Sequence, residues 1–280
     1  IFTSYHQSSL PAAFLCYLAD IPLRVAASID GPGSLLTTRH RHPERMMHEV
    51  ERGLDLVGSI GLSTDESGLV LKVPEQARES LFDLMSANGI TRLRPLVVVH
   101  PGCSMPARTY PWEMYAGLID LLVERLDVTV AITGSDGERD LVERMPGRVR
   151  EQNRAAVLPL AGRLPFSSLC ALIEAADLTI TNNTGPMHIS AAVGTPVVAL
   201  FALTNPPEQW GPWRVLNILL NREVTCRLCY KRVCPYGHEC LSLVTPQMVV
   251  DAATALLKKT LPGAFSMTEA TSISALEAFR

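Results

Sequence analysis

No run of apolar residues in this chain approaches a membrane span. The longest, "PLVVVH" and "TPVVALF", fall far short of the ~20 residues a spanning helix needs. There is no basic stripe interleaved with aromatics, and the net charge is −3 with a pI near 6.2, which argues against nucleic acid as a partner. Neither G-x-G-x-x-G nor G-x-x-x-x-G-K-[ST] occurs, so the dinucleotide fingerprint and the P-loop do not apply. Internal repeats and low-complexity segments are absent too. No charged, apolar, small-residue sequence reads as a signal peptide. The chain opens on "IFTSYHQSS", in mid-strand and without an initiating Met, as a trimmed form of a longer protein would, so that silence excludes nothing about targeting.

What is present is a packed composition. The 280 residues are 47% hydrophobic and 19% charged, which indicates a globular chain rather than a disordered one. At roughly 100–200 residues per domain, one large or two ordinary domains fit. From Pro95 onward, short valine-rich runs alternate with amphipathic stretches. "PLVVVH", "DVTVAIT", "AAVLPLA", "DLTIT" and "TPVVALF" read as strands buried on both faces. Between them, "PWEMYAGLIDLLVERL" spaces Trp112, Tyr115, Leu118, Leu122 and Leu126 along one helical face. Further helices are expected from about Glu138, across "SSLCALIEAA", and from about Pro186. This rhythm predicts an α/β fold, a parallel sheet wound with helices on both sides.

Residues 1–92 are less regular. "SSLPAAFLCYLADI", "ERMMHEVERGLDLVGSIG" and "EQARESLFDLMSANGI" read as helices, and "IFTSY" and "LRVAAS" as strands. Two strands are too few for a free-standing doubly wound sheet, so this part reads as an incomplete domain at 1–92. A boundary is expected near "NGITRLRP", a second domain over 93–265, and a tail over 266–280 that either docks as a helix or frays.

In open α/β sheets, ligands sit beyond the carboxyl ends of the strands. The loops there are "PGCSMPARTYP", "GSDGE", "GRLPFSS" and "NNTGPMH". Each combines small residues, hydroxyls or amides and a helix start, which suits anions and nucleotides. In the first, Gly102 allows close approach, Ser104 offers a hydroxyl, and Arg108 a fork matched to phosphate oxygens; the alternative is a surface loop with a solvated arginine. In the second, Gly134 turns the chain and Glu138 either accepts from ribose hydroxyls or simply favours a helix start. His188 is either a packed core histidine or a group facing the site. "CRLCYKRVCPYGHEC" spaces Cys226, Cys229, Cys234 and Cys240 as C-x2-C-x4-C-x5-C, with His238 in the last interval. That spacing suits a structural metal. The alternatives are reduced thiols packing a tight loop, or a pair that oxidises on handling. Cys16, Cys103 and Cys170 are scattered, and seven cysteines with one cluster fit a reducing compartment.

Taken in order, "HPGCSMPARTYPWEMYAGL", "AITGSDGE", "LAGRLPFSSLCALIEAADLTITNNTGPMHISAAVGTPVVALF" and "CRLCYKRVCPYGHECL" resemble glycosyltransferase family 9, the heptosyltransferases that use ADP-heptose and related sugar nucleotides. The resemblance covers about Pro95 to Leu257 and extends loosely into "RVAASIDGPGSLL". It implies a GT-B fold, two Rossmann-like domains facing a cleft, and an inverting, metal-independent transfer of a heptose or related sugar from an ADP-sugar to a saccharide or small-molecule hydroxyl. The ADP-sugar is then a substrate, and no cofactor is implied. Carried over by position, Cys103 and Ser104 would meet the phosphates and Arg108 would neutralise the diphosphate. Glu138 would fall near the ribose and Leu164 beside the adenine. Asn183, Thr184, Gly185 and His188 would line the diphosphate and sugar. On the acceptor side the polar candidates are Ser4, His6 and Gln7. A cytoplasmic enzyme, peripheral at the inner membrane face, is expected, with a lipid-linked saccharide among its acceptors.

Two departures stand out. The family usually carries Asp where this chain has Asn183, and its general base, an Asp in an early strand–helix loop, has no counterpart here, leaving the base unassigned. Two other readings keep the fold, a nucleotide-sugar-binding protein with reduced catalysis and a sugar-nucleotide epimerase.

Overall fold

The computed structural model describes residues 8–28, 35–90 and 94–262. The expected strand "IFTSY", the candidates Ser4, His6 and Gln7, part of the expected boundary and the tail lie outside the described residues. The chain forms two compact units. One holds the described residues up to Gly68 together with Glu208–Trp210; the other holds Leu69–Pro207 and the described residues from Gly211 onward.

In the first unit, α1 (Leu10–Leu18) carries Pro at its start, where a missing N–H costs nothing. Two short strands, β1 (Val25–Ala27) and β2 (Thr38–His40), pair in parallel, Ala26 opposite Arg39. β2 was not expected, because "TTRHRH" has neither apolar alternation nor an apolar run. α2 (Glu49–Gly58) begins later than its amphipathic pattern, because His48 caps it. The ring Nδ1 of His48 accepts from Val50 N at 3.2 Å, and Glu51 Oε2 accepts from His48 N at 3.1 Å. One buried apolar cluster here joins Ala13, Ala26 and Leu36, and Val25, Met47 and Leu56 are buried as well.

The second unit starts with α3 (Glu75–Ala87), before the boundary expected near residue 92. Ala77 and Leu81 of α3 pack into one cluster with Leu172 and Ile173, so its apolar face is satisfied there. Then come β3 (Leu96–His100), α4 (Trp112–Leu126), β4 (Thr129–Ile132), α5 (Arg139–Glu143), β5 (Val157–Pro159), α6 (Phe166–Ala175), β6 (Leu178–Asn182), α7 (Gly185–Val193) and β7 (Val197–Leu200); the short α8 (Pro207–Trp210) follows, its last three residues counted with the first unit, and β8 (Asn217–Leu220), α9 (Glu239–Ser242) and α10 (Pro246–Thr260) belong to the second again. β8 and α10 complete the unit beyond the last strand expected.

Among the described residues the six strands are parallel, in the order β5-β4-β3-β6-β7-β8. Alternate side chains of β3 explain its unbroken apolar run. Val97 and Val99 join a core with Leu118 and Leu122 of α4 and Val249 and Leu256 of α10. Leu96 and Val98 join the opposite core with Leu172 of α6. Each such side chain contributes about 1.5–3 kcal/mol by leaving water, and a polar alternation would forfeit half of that. No helix among the described residues is long and apolar enough to cross a membrane.

This strand order reverses direction between β3 and β6. The chain winds outward through β4 and β5, then returns to β6 and winds the other way. Loops leaving β3 and β6 therefore diverge to opposite faces and open a crevice at their carboxyl ends, where doubly wound sheets place ligands.

Candidate active site

At the switch point, Asn182 ends β6 and is fully buried. Its Oδ1 accepts from Tyr110 N (3.1 Å) and the Tyr115 hydroxyl (3.2 Å), and its Nδ2 donates to the carbonyls of Pro101 (2.8 Å) and Gly102 (3.4 Å). Every polar group of this carboxamide is spent on pinning the β3 loop to β6. Burial pushes both tyrosine phenols up, so they stay protonated, as donation to Asn182 and to the Val244 carbonyl (2.6 Å) requires.

Arg108 sits in the 3-10 turn Pro106–Arg108 of that loop and is half-buried. Its Nε donates to Thr204 Oγ1 at 3.0 Å, Thr204 Oγ1 donates to Asn205 Oδ1 at 3.1 Å, and Asn183 Nδ2 donates to the same oxygen at 3.2 Å. Ala202 N closes the line on Asn183 Oδ1 at 3.3 Å. Asn183, Thr204 and Asn205 are all buried. Asn183 both donates and accepts here, which a carboxylate could not do. Among the described residues no carboxylate pairs with Arg108. Burial lowers its guanidinium pKa, opposed by the nearby Cys103 thiol. The half-buried cation is thus aimed by a neutral relay and keeps its charge for another partner.

The cysteine-rich segment lies behind this relay. Arg232 O accepts from Ala107 N (3.0 Å), and the His238 ring Nε2 lies 3.1 Å from Pro106 O. Tyr230 N donates to Thr204 O (3.0 Å) and Cys229 N to Leu203 O (3.3 Å). Cys226, Cys229, Cys234 and Cys240 are free and half-buried. Burial raises the Cys240 thiol, and the other three thiols add to the rise. They do not form a group with three donor atoms within 4.8 Å; among the described residues that arrangement belongs to His40, His42 and Asp55.

At the end of β4, Glu138 closes a 3-10 turn. Its Oε2 accepts from Ser135 N (2.7 Å) and Ser135 Oγ (2.8 Å). The same carboxylate lies on Gly102: a Cβ built there would sit 1.9 Å from Glu138 Oε1. Gly134 is needed for packing, since a Cβ would stand 3.1 Å from Val142 and 3.2 Å from Glu138. His100 Nδ1 lies 2.9 Å from Thr133 Oγ1, and burial holds its pKa down against the pull of Glu138. The imidazole is therefore neutral at pH 7. Leu164 is half-buried against the α6 cluster.

α7 starts at Gly185 with Thr184 as N-cap, and the Thr184 hydroxyl makes no capping bond. Its first backbone N–H groups follow directly on the relay residue Asn183, carrying the partial positive charge of a helix start. His188, one turn in, and Cys103 are half-buried, while Ser104 is exposed. Gly102 and Glu138 are thus in contact, and Arg108 and Asn183 are joined through two residues the motif reading passed over. Thr204 and Asn205 lie in a fifth strand-end loop, "ALTNPPEQ" after β7, whose Asn-Pro-Pro was a legible turn signal. Asn182 opens the loop "NNTGPMH", where nothing local distinguishes it from the asparagine that follows.

These features define a doubly wound α/β unit with ligand loops gathered at its switch point. The chain belongs to glycosyltransferase family 9 (heptosyltransferase), whose family model matches residues 5–239. It is 29% identical over 168 residues to lipooligosaccharide heptosyltransferase 2 of Campylobacter jejuni, covering 59% of this chain and 52% of that one. It is 26% identical over 227 residues to lipopolysaccharide heptosyltransferase 3 of Escherichia coli K12, covering 80% and 64%. The chain spans about half the length of several of the curated relatives it matches, 50–54% for three lipooligosaccharide heptosyltransferases 2. Among solved structures, a family 9 glycosyltransferase from Veillonella parvula superposes with a TM-score of 0.75 at 23% identity, over 88% of this chain and 70% of that one. The Escherichia coli ADP-heptose LPS heptosyltransferase II superposes at 0.71 and 24% identity, over 89% and 74%. The fold is therefore the α/β, GT-B type of those structures.

Proposed function

We propose that this chain transfers a heptose from ADP-heptose to a hydroxyl of a lipopolysaccharide-type saccharide, inverting the anomeric centre and using no metal. The observation that carries the reading is Arg108, a half-buried cation with no carboxylate partner among the described residues, aimed by Thr204 and Asn205 and linked to Asn183 at the start of α7. In the reaction the bond between the anomeric carbon and the diphosphate oxygen breaks, and its electron pair leaves with ADP. The acceptor oxygen bonds from the opposite face, and its proton passes to solvent. Negative charge grows on the leaving diphosphate, where Arg108 and the N–H groups of α7 stabilise it without reorganising. Glu138 holds the ribose, Leu164 borders the adenine, and Gly102, Cys103, Ser104, Thr184 and His188 line the diphosphate and sugar. An enzyme of this kind works at the inner membrane face, where such acceptors are presented.

The test is a transfer assay with radiolabelled ADP-heptose and heptose-deficient lipopolysaccharide, run beside ADP binding by calorimetry. Label appearing in the saccharide with release of ADP is the expected result. Tight ADP binding with no transfer to any core acceptor would replace this reading by that of a nucleotide-sugar-binding protein.

A further inference from the structure

In the first unit, three donor atoms converge on one point. His40 ends β2, and His42 follows at the two-residue spacing that returns side chains to one side of an extended chain. α2 supplies Asp55, next to the fully buried Leu56. Asp55 Oδ2 lies 2.5 Å from His40 Nε2 and 2.6 Å from His42 Nδ1, and all three donor atoms are within 4.8 Å of one another. The rings meet edge to face at 4.9 Å. The side chains are 18%, 10% and 27% exposed for His40, His42 and Asp55, shielded yet within reach of a solvated ion.

A hydrogen-bonded triad is the simplest description of these atoms. Burial pushes the Asp55 carboxyl up, but its bonds to the two imidazoles bring it net below the ordinary value. That description needs a proton on the inward nitrogen of each ring, with both protons directed at one oxygen. A divalent cation satisfies the same three donors at once. We propose that His40, His42 and Asp55 bind a divalent transition-metal ion, zinc foremost, as a clip between the end of β2 and α2.

Two imidazoles and one carboxylate suit zinc and its first-row neighbours. Magnesium and calcium, which want oxygen ligands, fit poorly. Metal–ligand bonds of about 2.0–2.2 Å place tetrahedral ligand atoms roughly 3.3 Å apart, so Asp55 withdraws by under about 1 Å. On binding, the inward proton of each ring leaves to solvent or moves to the outer ring nitrogen, and uptake weakens as pH falls. The clip also has a structural reason. The first unit, the described residues up to Gly68 with Glu208–Trp210, is small, and a small unit gains more from a staple than a large core does.

The experiment uses the full chain, stripped with chelator and with its thiols blocked by iodoacetamide so that cysteines cannot bind metal. Zinc chloride is titrated by calorimetry at pH 7.5. One equivalent is expected to bind. Asp55→Asn and His42→Gln are each expected to weaken binding by at least about a hundredfold, beyond the 10–100-fold that losing a ligand's own partner costs. No uptake by the blocked wild-type chain, or undiminished affinity in both variants, overturns the proposal. If Asp55→Asn fails to fold by circular dichroism, His42→Gln decides. If blocking the thiols unfolds the chain, cobalt equivalents are counted on unmodified protein: one fewer in His42→Gln supports the site, and an equal count overturns it.

Discussion

Arg108 reaches its place through a buried relay, to Thr204, then Asn205, then Asn183, drawing on three strand-end loops. Glu138, at the neighbouring strand end, is held by Ser135, three residues earlier in an exposed turn. The first charge is aimed by tertiary structure and the second by its own loop. A buried relay is preorganised, so it suits charge that develops during a reaction. A surface capping box can open and reform as a ligand comes and goes.

Removing the arginine tests the relay most severely. Arg108→Ala is expected to lower heptose-transfer turnover by about 10²–10³ with an unchanged circular dichroism spectrum. Near-normal transfer would take Arg108 out of the mechanism. Thr204→Val keeps the shape but takes from Arg108 Nε its acceptor and from Asn205 Oδ1 one of its two donors, the other being Asn183 Nδ2. A hydrogen bond to a charged group is worth about 1.5–3 kcal/mol, so the rate should fall roughly tenfold or more although the arginine remains. A rate within about twofold of wild type would mean that the relay does not aim Arg108.

The smallest effect belongs to the surface carboxylate. Glu138→Gln should raise KM for the ADP-sugar several-fold and spare kcat, a loss on the order of the ~1 kcal/mol typical of a capping contact. Gly102→Ala places a Cβ 1.9 Å from Glu138 Oε1, so the carboxylate must swing away and KM should rise similarly. Since both changes act on one contact, the double variant should be no worse than the worse single one. Additive losses would show two independent roles.

The rest of the chain repeats this contrast between local and distant causes. β3 and β7 were legible because strands buried on both faces run nearly continuously apolar, and β4 and β6 because β-branched Val, Ile and Thr favour strands. β8 was overlooked, although its run "NILL" lies beyond "TPVVALF", and β2 carries no such run at all. The placement of α3 with the second unit was not legible either, because its amphipathic pattern says that one face is buried and not against what. The same holds for "CRLCYKRVCPYGHEC", whose cysteine spacing says nothing of what its backbone holds, while the structure shows the segment bonded to Pro106, Ala107, Leu203 and Thr204.

The sequence alone determined the alternation of strands and helices, the strand-end loops and the family, since each rests on neighbouring residues or ordered short motifs. Only the tertiary structure decided the strand order that opens the crevice between β3 and β6, the Asn182 clamp and the Arg108–Asn183 relay. It also brought His40, His42 and Asp55 together. Those depend on hydrogen bonds between residues as far as 96 positions apart, and no local pattern encodes such a pairing.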